Sequence, residues 1–557
     1  LVPGGHISLR LIPVPGLPTA AQRAYYVGDA SVYLFGKNGE APNDSILYKN
    51  LNIHYYDKLR VRPNMLYRWM NYQQFVRSKQ MRASNRTRLY SQYRQEQVQE
   101  KLSQLGIFSY LDMQYAPRDT TAACDTLDVT MQATFAKPLD AELELNVVTK
   151  SNDQTGPGAS FGVTRNNVFG GGESWNVKLK GSYEWQTGGG EKSSLMNSWE
   201  MGLSTSLTFP RVVFPHLGKR EFDFPATTTF RLYINQLNRA KYYKLLSFGG
   251  NATYDFQPSR TSRHSITPFK LTFNVLQHQS EDFKEIAEAN PALYVSLRNQ
   301  FIPAMEYTYT YDNASVRRIK NPIWWQSTVT SAGNITSLIY RAFGKPFNEE
   351  DKSLLGAPFA QFVKLNTELR HLWNIDKNNA IASRMAVGAL FTYGNATIAP
   401  YSEQFYVGGA NSIRAFTVRS VGPGGYHPEE GKYSYLDQTG TFRFEANVEY
   451  RFRIFKSFWG ATFLDAGNVW LLRKDRKLLA DGTEARPNSQ LRLKTFPKQI
   501  ALGTGVGIRY DMDILVFRLD FGIPLHLPYD TDRSGYYNVT GAFLKNLGIH
   551  FAIGYPF

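Results

Sequence analysis

The sequence predicts a membrane all-β protein: a transmembrane antiparallel β-barrel of about 16 strands, preceded by a small α/β domain. Three observations carry this reading. First, the segment from Leu547 to Phe557 reads L-G-I-H-F-A-I-G-Y-P-F. Its odd positions (Leu547, Ile549, Phe551, Ile553, Tyr555, Phe557) are bulky and apolar, and its even positions are small, polar or proline. Side chains alternate faces along a strand, so one face is apolar and the other thin. About ten such residues, tilted, cross a bilayer. Second, the pattern is almost wholly period two from about Ala141 onward. Third, connections alternate in length: 169–173 and 209–215 are short, whereas 280–300, 337–356, 395–439 and 474–498 are long. Short turns at one end and long loops at the other suit a membrane barrel.

Composition agrees. The chain has 557 residues, a net charge of +16, 34 Tyr and 36 Phe, with a mean hydropathy of −0.37. No run of apolar residues is long enough for a transmembrane helix. A low average does not exclude a barrel, because half of each strand faces water and long loops dilute the signal. A large soluble all-β protein is the competing reading. Cys124 is the only cysteine, so no intrachain disulfide is possible. Neither an initiator Met nor a signal peptide begins the sequence, which reads as a mature or trimmed chain. The basic residues are interspersed with acids, as in Arg443, Glu445, Glu449, Arg451 and Arg453. Anionic lipid headgroups or acidic polypeptides account for that charge, and no nucleic-acid partner is expected.

In chain order, residues 1–22 read as the remnant of an upstream module or linker. Residues 23–137 mix strand and helix patterns: a strand from Tyr25 to Phe35, helices over Met65–Val76 and Gln92–Leu105, then strands Phe108–Tyr115 and Leu127–Phe135. Gly106 follows the last periodic residue of the second helix and ends it. The expected order is β-α-α-β-β. Its basic residues (Arg68, Arg77, Lys79, Arg82, Arg86, Arg88, Arg94) suit acidic lipids or partners, or a merely solvated face. Residues 138–557 form the barrel, starting with a short strand from Ala141 to Thr149. The clearest later strands are Phe230–Gln236, Ile381–Tyr393, Phe442–Ile454, Leu502–Tyr510, Leu515–Ile523 and the last, Leu547–Phe557. In Phe442–Ile454 the even positions are apolar apart from the small Ala446, and the odd ones are Arg443, Glu445, Asn447, Glu449, Arg451 and Arg453. An apolar exterior around a charged bore is the membrane arrangement; a soluble barrel packs apolar side chains within. Residues 281–299 could hold a helix in one long loop.

Motifs for chemistry are missing. There is no H-E-x-x-H, C-x-x-C, G-x-x-x-x-G-K-[ST] or G-x-S-x-G. Gly503-Thr504-Gly505-Val506-Gly507 superficially suggests a phosphate loop, but it lies inside an alternating strand with its glycines on the inner face. Room in a crowded lumen explains it better. The nine His are dispersed. No catalytic residue, metal site or cofactor is expected.

The informative loop is Gly408-Gly409-Ala410-Asn411-Ser412-Ile413-Arg414-Ala415-Phe416. Here the sequence resembles the BamA/TamA family of outer-membrane barrel insertases, whose sixth outer loop carries an Arg in a V-R-G-F/Y motif after a double glycine. Asn167-Val168-Phe169-Gly170-Gly171-Gly172-Glu173 is similar to the family's N-L-F-G-x-G-E turn. Glu449 stands where the family places an inward acid. Phe463-Leu464-Asp465-Ala466-Gly467 resembles its F-x-D-x-G segment. Leu105-Gly106-Ile107-Phe108 resembles the hallmark of a POTRA (polypeptide-transport-associated) domain. Loop 395–439 falls between the eleventh and twelfth of the about sixteen expected strands, so it is the sixth outer loop, as in the family. One departure is Ala415, which stands where the family has Gly; Ala disfavours conformations that Gly permits. A single POTRA-like module suggests either missing upstream modules or a divergent, TamA-like branch.

The resemblance implies a protein that inserts other barrels without covalent chemistry. Its partners would be unfolded client outer-membrane proteins, outer-membrane lipids, and accessory periplasmic or lipoprotein subunits. The module at 23–137 would sit in the periplasm. If the loop folds into the lumen, Arg414 can engage Glu449 and Asp465 through paired hydrogen bonds. The loop motif around it is Gly408, Gly409, Ile413, Ala415 and Phe416. A seam between the first and last strands is the natural opening, flanked by Leu143, Leu145, Gly548, Gly554 and Phe557. The glycines weaken side-chain packing there, and Pro556 cannot donate to a ladder. Alternatives are a two-partner secretion transporter, an outer-membrane enzyme or a passive porin.

Overall fold

A computed structural model describes residues 23–49, 51–71, 89–121, 124–149, 154–186, 198–213, 226–239, 243–281, 284, 299–314, 319–349, 352–354, 357–395, 398–428, 438–474, 484, 486–512, 515–542 and 546–557. The chain divides into two compact units. One holds residues 1–141, 163–176 and 208–210, and the other holds the rest.

The first unit contains β1 (Tyr26–Phe35), β2 (Asp44–Tyr48), β3 (Leu51–Tyr55), α1 (Pro63–Asn71), α2 (Gln92–Gln104), β4 (Phe108–Pro117) and β5 (Thr126–Phe135). Its sheet order is β2-β3-β1-β5-β4, with β1 parallel to both β3 and β5. Alternation in β1 buries Val32 and Leu34 against Leu66 and Met70 of α1 and Val98 and Leu102 of α2. Gly106 takes φ +66°, as the expected helix stop requires. The hairpin β2–β3 is an addition to the expected β-α-α-β-β order. Its five-residue strands are too short for periodicity to reveal, and Lys49 makes its turn at φ 58°. Residues 1–22, the second half of the expected Met65–Val76 helix with Arg77, Lys79, Arg82, Arg86 and Arg88, and nearly all of the expected 281–299 helix lie outside the described residues.

The rest of the chain forms a 16-stranded antiparallel sheet. Its strands are β6 (Leu139–Thr149), β7 (Gln154–Asn166), β8 (Ser174–Gln186), β9 (Ser198–Phe209), β10 (Ala226–Arg239), β11 (Tyr243–Phe256), β12 (Ser262–Gln279), β13 (Gln300–Asp312) and β14 (Ile323–Ala332). After helix α3 (Asn334–Ala342) come β15 (Phe362–Asn374), β16 (Asn379–Thr392), β17 (Phe442–Phe455), β18 (Phe458–Trp470), β19 (Ala501–Asp511), β20 (Val516–His526) and β21 (Gly548–Ile553). Each strand neighbours the next in sequence, and β6 and β21 are the two ends of the order. None of the helices is long and apolar enough to cross a membrane, among the described residues. In β17, Glu445, Asn447, Glu449 and Arg451 are buried while Val448, Tyr450 and Ile454 are exposed. One face of β17, termed outer below, is thus apolar and exposed, and the other, termed inner, is charged and buried.

The last strand is shorter than the sequence pattern suggests. It pairs with β20 from Gly548 to Ile553, and Gly554 N–H makes a further bond to the Val516 carbonyl at 2.7 Å. Gly554 then turns at φ +87°, a conformation open to glycine. The chain leaves the outer face: the Arg451 guanidinium lies 4.3 Å from the Tyr555 ring centre and donates to the Phe557 carbonyl at 3.3 Å.

Candidate functional site

The site is built where loop 395–439 meets the inner face of β17 to β21. Gly408 (φ +105°) and Gly409 (φ +92°) start a tight reversal. Gly409 N–H bonds the Phe416 carbonyl at 2.7 Å, and the Ser412 hydroxyl accepts from Gly408 N–H at 3.0 Å. A side chain at Gly408 would collide with the Thr417 carbonyl. Ile413 and Phe416 are buried in an apolar cluster with Leu390, Phe405, Val407, Val469 and Ala501. That apolar packing turns the one residue between Ile413 and Ala415 towards the wall.

Arg414 is completely buried. Its Nε donates to Asp465 Oδ2 and its Nη2 to Asp465 Oδ1, both at 2.8 Å. Its backbone N–H adds a bond to Asp465 Oδ2 at 3.0 Å, and Nη1 donates to Glu449 Oε2. The guanidinium carbon stands 3.5 Å from the centre of the Phe463 ring, a cation–π contact in a dry setting. The structure therefore brings Arg414, Glu449 and Asp465 together. Ladder register explains the geometry. Asn447 pairs with Asp465 and Glu449 with Phe463 across β17–β18, so both carboxylates project from one face two residues apart.

A second tier of charges surrounds this cluster. Arg509 Nη2 donates to Glu449 Oε2 at 3.0 Å, and Arg509 Nη1 lies 2.7 Å from Asp520 Oδ1. Arg518 reaches the loop itself, donating to the Ala410 carbonyl at 3.0 Å and to Asn411 Oδ1 at 2.7 Å. Asn447 donates to the Ser412 carbonyl at 2.8 Å. The Ser412 hydroxyl donates to Glu445 Oε2 at 2.6 Å. His550 of the last strand contacts the Arg414 carbonyl through Nε2 at 2.7 Å. Motif reasoning missed Arg509, Arg518, Asp520 and His550. Their signal was charge or imidazole on the thin face of an otherwise alternating strand.

Glycines make the seat. Phe463, Gly505, Gly522 and Gly548 lie in one register row across β18 to β21. A methyl at Gly522 would come within 2.6 Å of the Arg414 carbonyl oxygen, and one at Gly503 within 2.4 Å of the Ala415 Cβ. Ala415 itself is absent from the residues of positive φ among those described, so its methyl carries no left-handed strain. The wall supplies the space at Gly503 and Gly522.

The seam residues behave differently from one another. Leu143 and Leu145 are exposed, Gly548 sits in the glycine row, and Gly554 ends the ladder. Phe557, expected on the outer face, is instead 5.9 Å from the Arg414 guanidinium. Elsewhere, the turn 167–173 is self-braced: Glu173 accepts from Gly171 N–H at 2.8 Å and Asn167 Oδ1 from Gly172 N–H at 3.0 Å. No cluster of metal-ligating side chains occurs among the described residues.

An Omp85 superfamily domain model matches residues 167–557. Among solved structures, the fold is similar to BamA from Haemophilus ducreyi lacking POTRA domains 1–3, with a TM-score of 0.53 at 12% identity, covering 92% of this chain and 88% of that one. CdiB from Acinetobacter baumannii is also similar, with a TM-score of 0.45 at 11% identity, over 86% of this chain and 73% of that one.

Proposed function

The chain belongs to the Omp85 superfamily, and from that premise we propose that it folds and inserts client β-barrel proteins into the bacterial outer membrane. In this reading residues 138–557 close into a transmembrane barrel, with loop 395–439 folded inside. Residues 23–137 form a POTRA-like periplasmic domain that receives unfolded clients, and residues 1–22 belong to a preceding module or linker. Accessory periplasmic or lipoprotein subunits would assist. The work requires no covalent chemistry.

One observation carries the proposal. The 16-stranded sheet ends on a strand that pairs over only six residues, Gly548 to Ile553, before the chain turns away. A strand in lipid cannot leave its N–H and C=O groups unpaired. An insertase solves this by offering a temporary sheet edge to the incoming strand. Once the sheet closes, a short, glycine-flanked last strand set against Leu139–Thr149 makes a seam of low zippering energy. The Arg414 cluster holds the loop against the adjoining wall, so the seam opens without disturbing the rest of the bore.

Two experiments test this. Cysteine pairs that lock residues 140–146 to residues 548–553, in a Cys124→Ala background, should stop insertion until a reductant is added; full activity under oxidising conditions would refute the seam. Depletion of the protein should remove many surface barrels at once. Loss of one exported polypeptide with other barrels intact would instead identify a two-partner secretion transporter.

A further inference from the structure

Helix α3 is built inside out. Gly333, at φ 69°, follows the last residue of β14 and starts it. The side that faces the protein is polar: Ser337 is 0% exposed and Thr336 9%. The Ser337 hydroxyl donates to Gln361 Oε1 at 2.9 Å. Asn334 donates to the Ser331 hydroxyl at 2.9 Å and accepts from the Tyr393 hydroxyl at 2.9 Å. The buried Lys352 ammonium donates to the Ser337 hydroxyl at 3.2 Å. The opposite side is apolar and open: Ile335 is 49% exposed, Leu338 54%, Ile339 52% and Phe343 85%. A helix on a water-bathed protein shows the reverse arrangement. A contiguous apolar face of this kind marks a contact surface.

We propose that α3 and Phe343 form an interfacial anchor whose occupant is lipid: Ile335, Leu338, Ile339 and Phe343 enter the acyl region of the leaflet, and Arg341 and Lys345 meet headgroup phosphates. The position argues for lipid. The helix starts two residues after Ala332, which pairs with Phe362 at the end of the β14–β15 ladder. Below that pair, Trp325 and Val329 of β14 and Leu365 and Leu369 of β15 are exposed on the outer face. The helix face continues that belt at its rim. Its own backbone bonds are closed within the helix, so the surface offered is dry, as acyl chains require. Arg341 and Lys345 are exposed on the same segment, against Glu349 as the acid among its described residues. The effect is to fix the rim of β14 and β15 in the membrane, far along the sheet order from the ends β6 and β21. The proposal rests on the outer face of the sheet being lipid-facing.

The full chain with Cys124→Ala and single cysteines at Leu338 or Phe343, labelled with an environment-sensitive fluorophore, tests this in phosphatidylethanolamine–phosphatidylglycerol vesicles. Val329→Cys on the strand exterior and Asp532→Cys on another loop are the controls. The Leu338 and Phe343 labels should be quenched several-fold more by spin-labelled lipid than by aqueous iodide, as at Val329, with the reverse at Asp532. Iodide quenching at Leu338 equal to that at Asp532 would overturn the anchor. So would protection from both quenchers, which would mean that a protein covers the helix. Failure of lipid quenching at Val329 as well would instead overturn the membrane reading of the sheet.

Discussion

Arg414 and Asp465 are joined by three hydrogen bonds, two from the guanidinium at 2.8 Å and one from the Arg414 backbone N–H at 3.0 Å. The backbone bond fixes the loop's main chain and not only its side chain. A carboxylate clamped in this way positions a loop as a rigid part of the wall. The adjoining Glu449 is shared among Arg414, Arg509 and Arg451, so removal of one cation leaves its buried negative charge against the two that remain.

Arg414→Ala should therefore cost about 3–5 kcal/mol of folded-state stability, the usual penalty for breaking one side of a buried ion pair. Arg414→Lys should restore charge but not the planar two-bond fit to Asp465, and so recover only part of it. Urea unfolding followed by heat-modified gel mobility measures the stability, and protease sensitivity between Gly408 and Thr417 measures the loop. If the alanine variant keeps both wild-type mobility and wild-type resistance, the clamp has no structural role.

Gly503 and Ala415 form a matched small pair. A methyl on Gly503 would stand 2.4 Å from the Ala415 Cβ, far inside contact distance, so Gly503→Ala should destabilise by about 1–3 kcal/mol through overpacking. Ala415→Gly should relieve that clash, so the double variant should be more stable than Gly503→Ala alone. Additive losses in this cycle, read by the same urea titration, would mean that the loop does not rest on β19.

These relationships show which features were legible in the sequence. Strict alternation in Phe442–Ile454 put Glu449 on the inner face, and the aspartate of the F-x-D-x-G segment followed, because period two is a direct consequence of strand geometry. Gly503, Gly505 and Gly507 were readable as empty space, though not as space for Ala415, since Ala415 lies 88 residues before Gly503. Arg509, Asp520 and His550 carry no motif and come together only through ladder register. Helix α3 was hidden because its polar side faces inward, which inverts the usual pattern. The end of β21 was hidden for another reason: alternation continues through Tyr555 and Phe557, while the ladder stops at a backbone angle that only Gly554 announces.

The first unit should respond to acid. Arg118 donates to both oxygens of Asp128, and its Nη2 also lies 2.7 Å from Asp29. The hydrogen bonds from Arg118, opposed by burial and aided by the Asp29 N–H, hold the Asp128 carboxyl below its ordinary range. A carboxyl lowered in the folded state contributes stability that is fully present above its ordinary value and is lost as pH falls through the lowered one. The pair is partly exposed, so its contribution is small and weakens in salt. Hydrogen exchange in Thr126–Phe135, expressed relative to the intrinsic rate at each pH, should rise below about pH 4 in the intact wild-type chain. In Asp128→Asn it should start higher and change less across that window; an identical acid response would exclude Asp128 as its source.

The final turn gives the sharpest handle on the seam. Gly554 at φ +87° sends Tyr555, Pro556 and Phe557 towards Arg451. Gly554→Val cannot adopt that angle without a penalty of about 1–3 kcal/mol, so the terminal residues should swing back into line with β21. Two readouts then diverge. Hydrogen-exchange protection should extend past Val516, because the register sets Tyr555 opposite Leu515. Release of Arg451 from the Phe557 carbonyl should leave the Arg451–Glu449 ion pair, at 2.8 Å, intact, so the Arg414 cluster keeps its stability in urea. A longer last strand with an undisturbed cluster should slow seam opening and lower insertion activity, and Arg451→Ala alone should not mimic it by extending the ladder. Unchanged hydrogen exchange in both β20 and β21 after Gly554→Val would show that the turn, and with it the proposed weakness of the seam, does not depend on glycine.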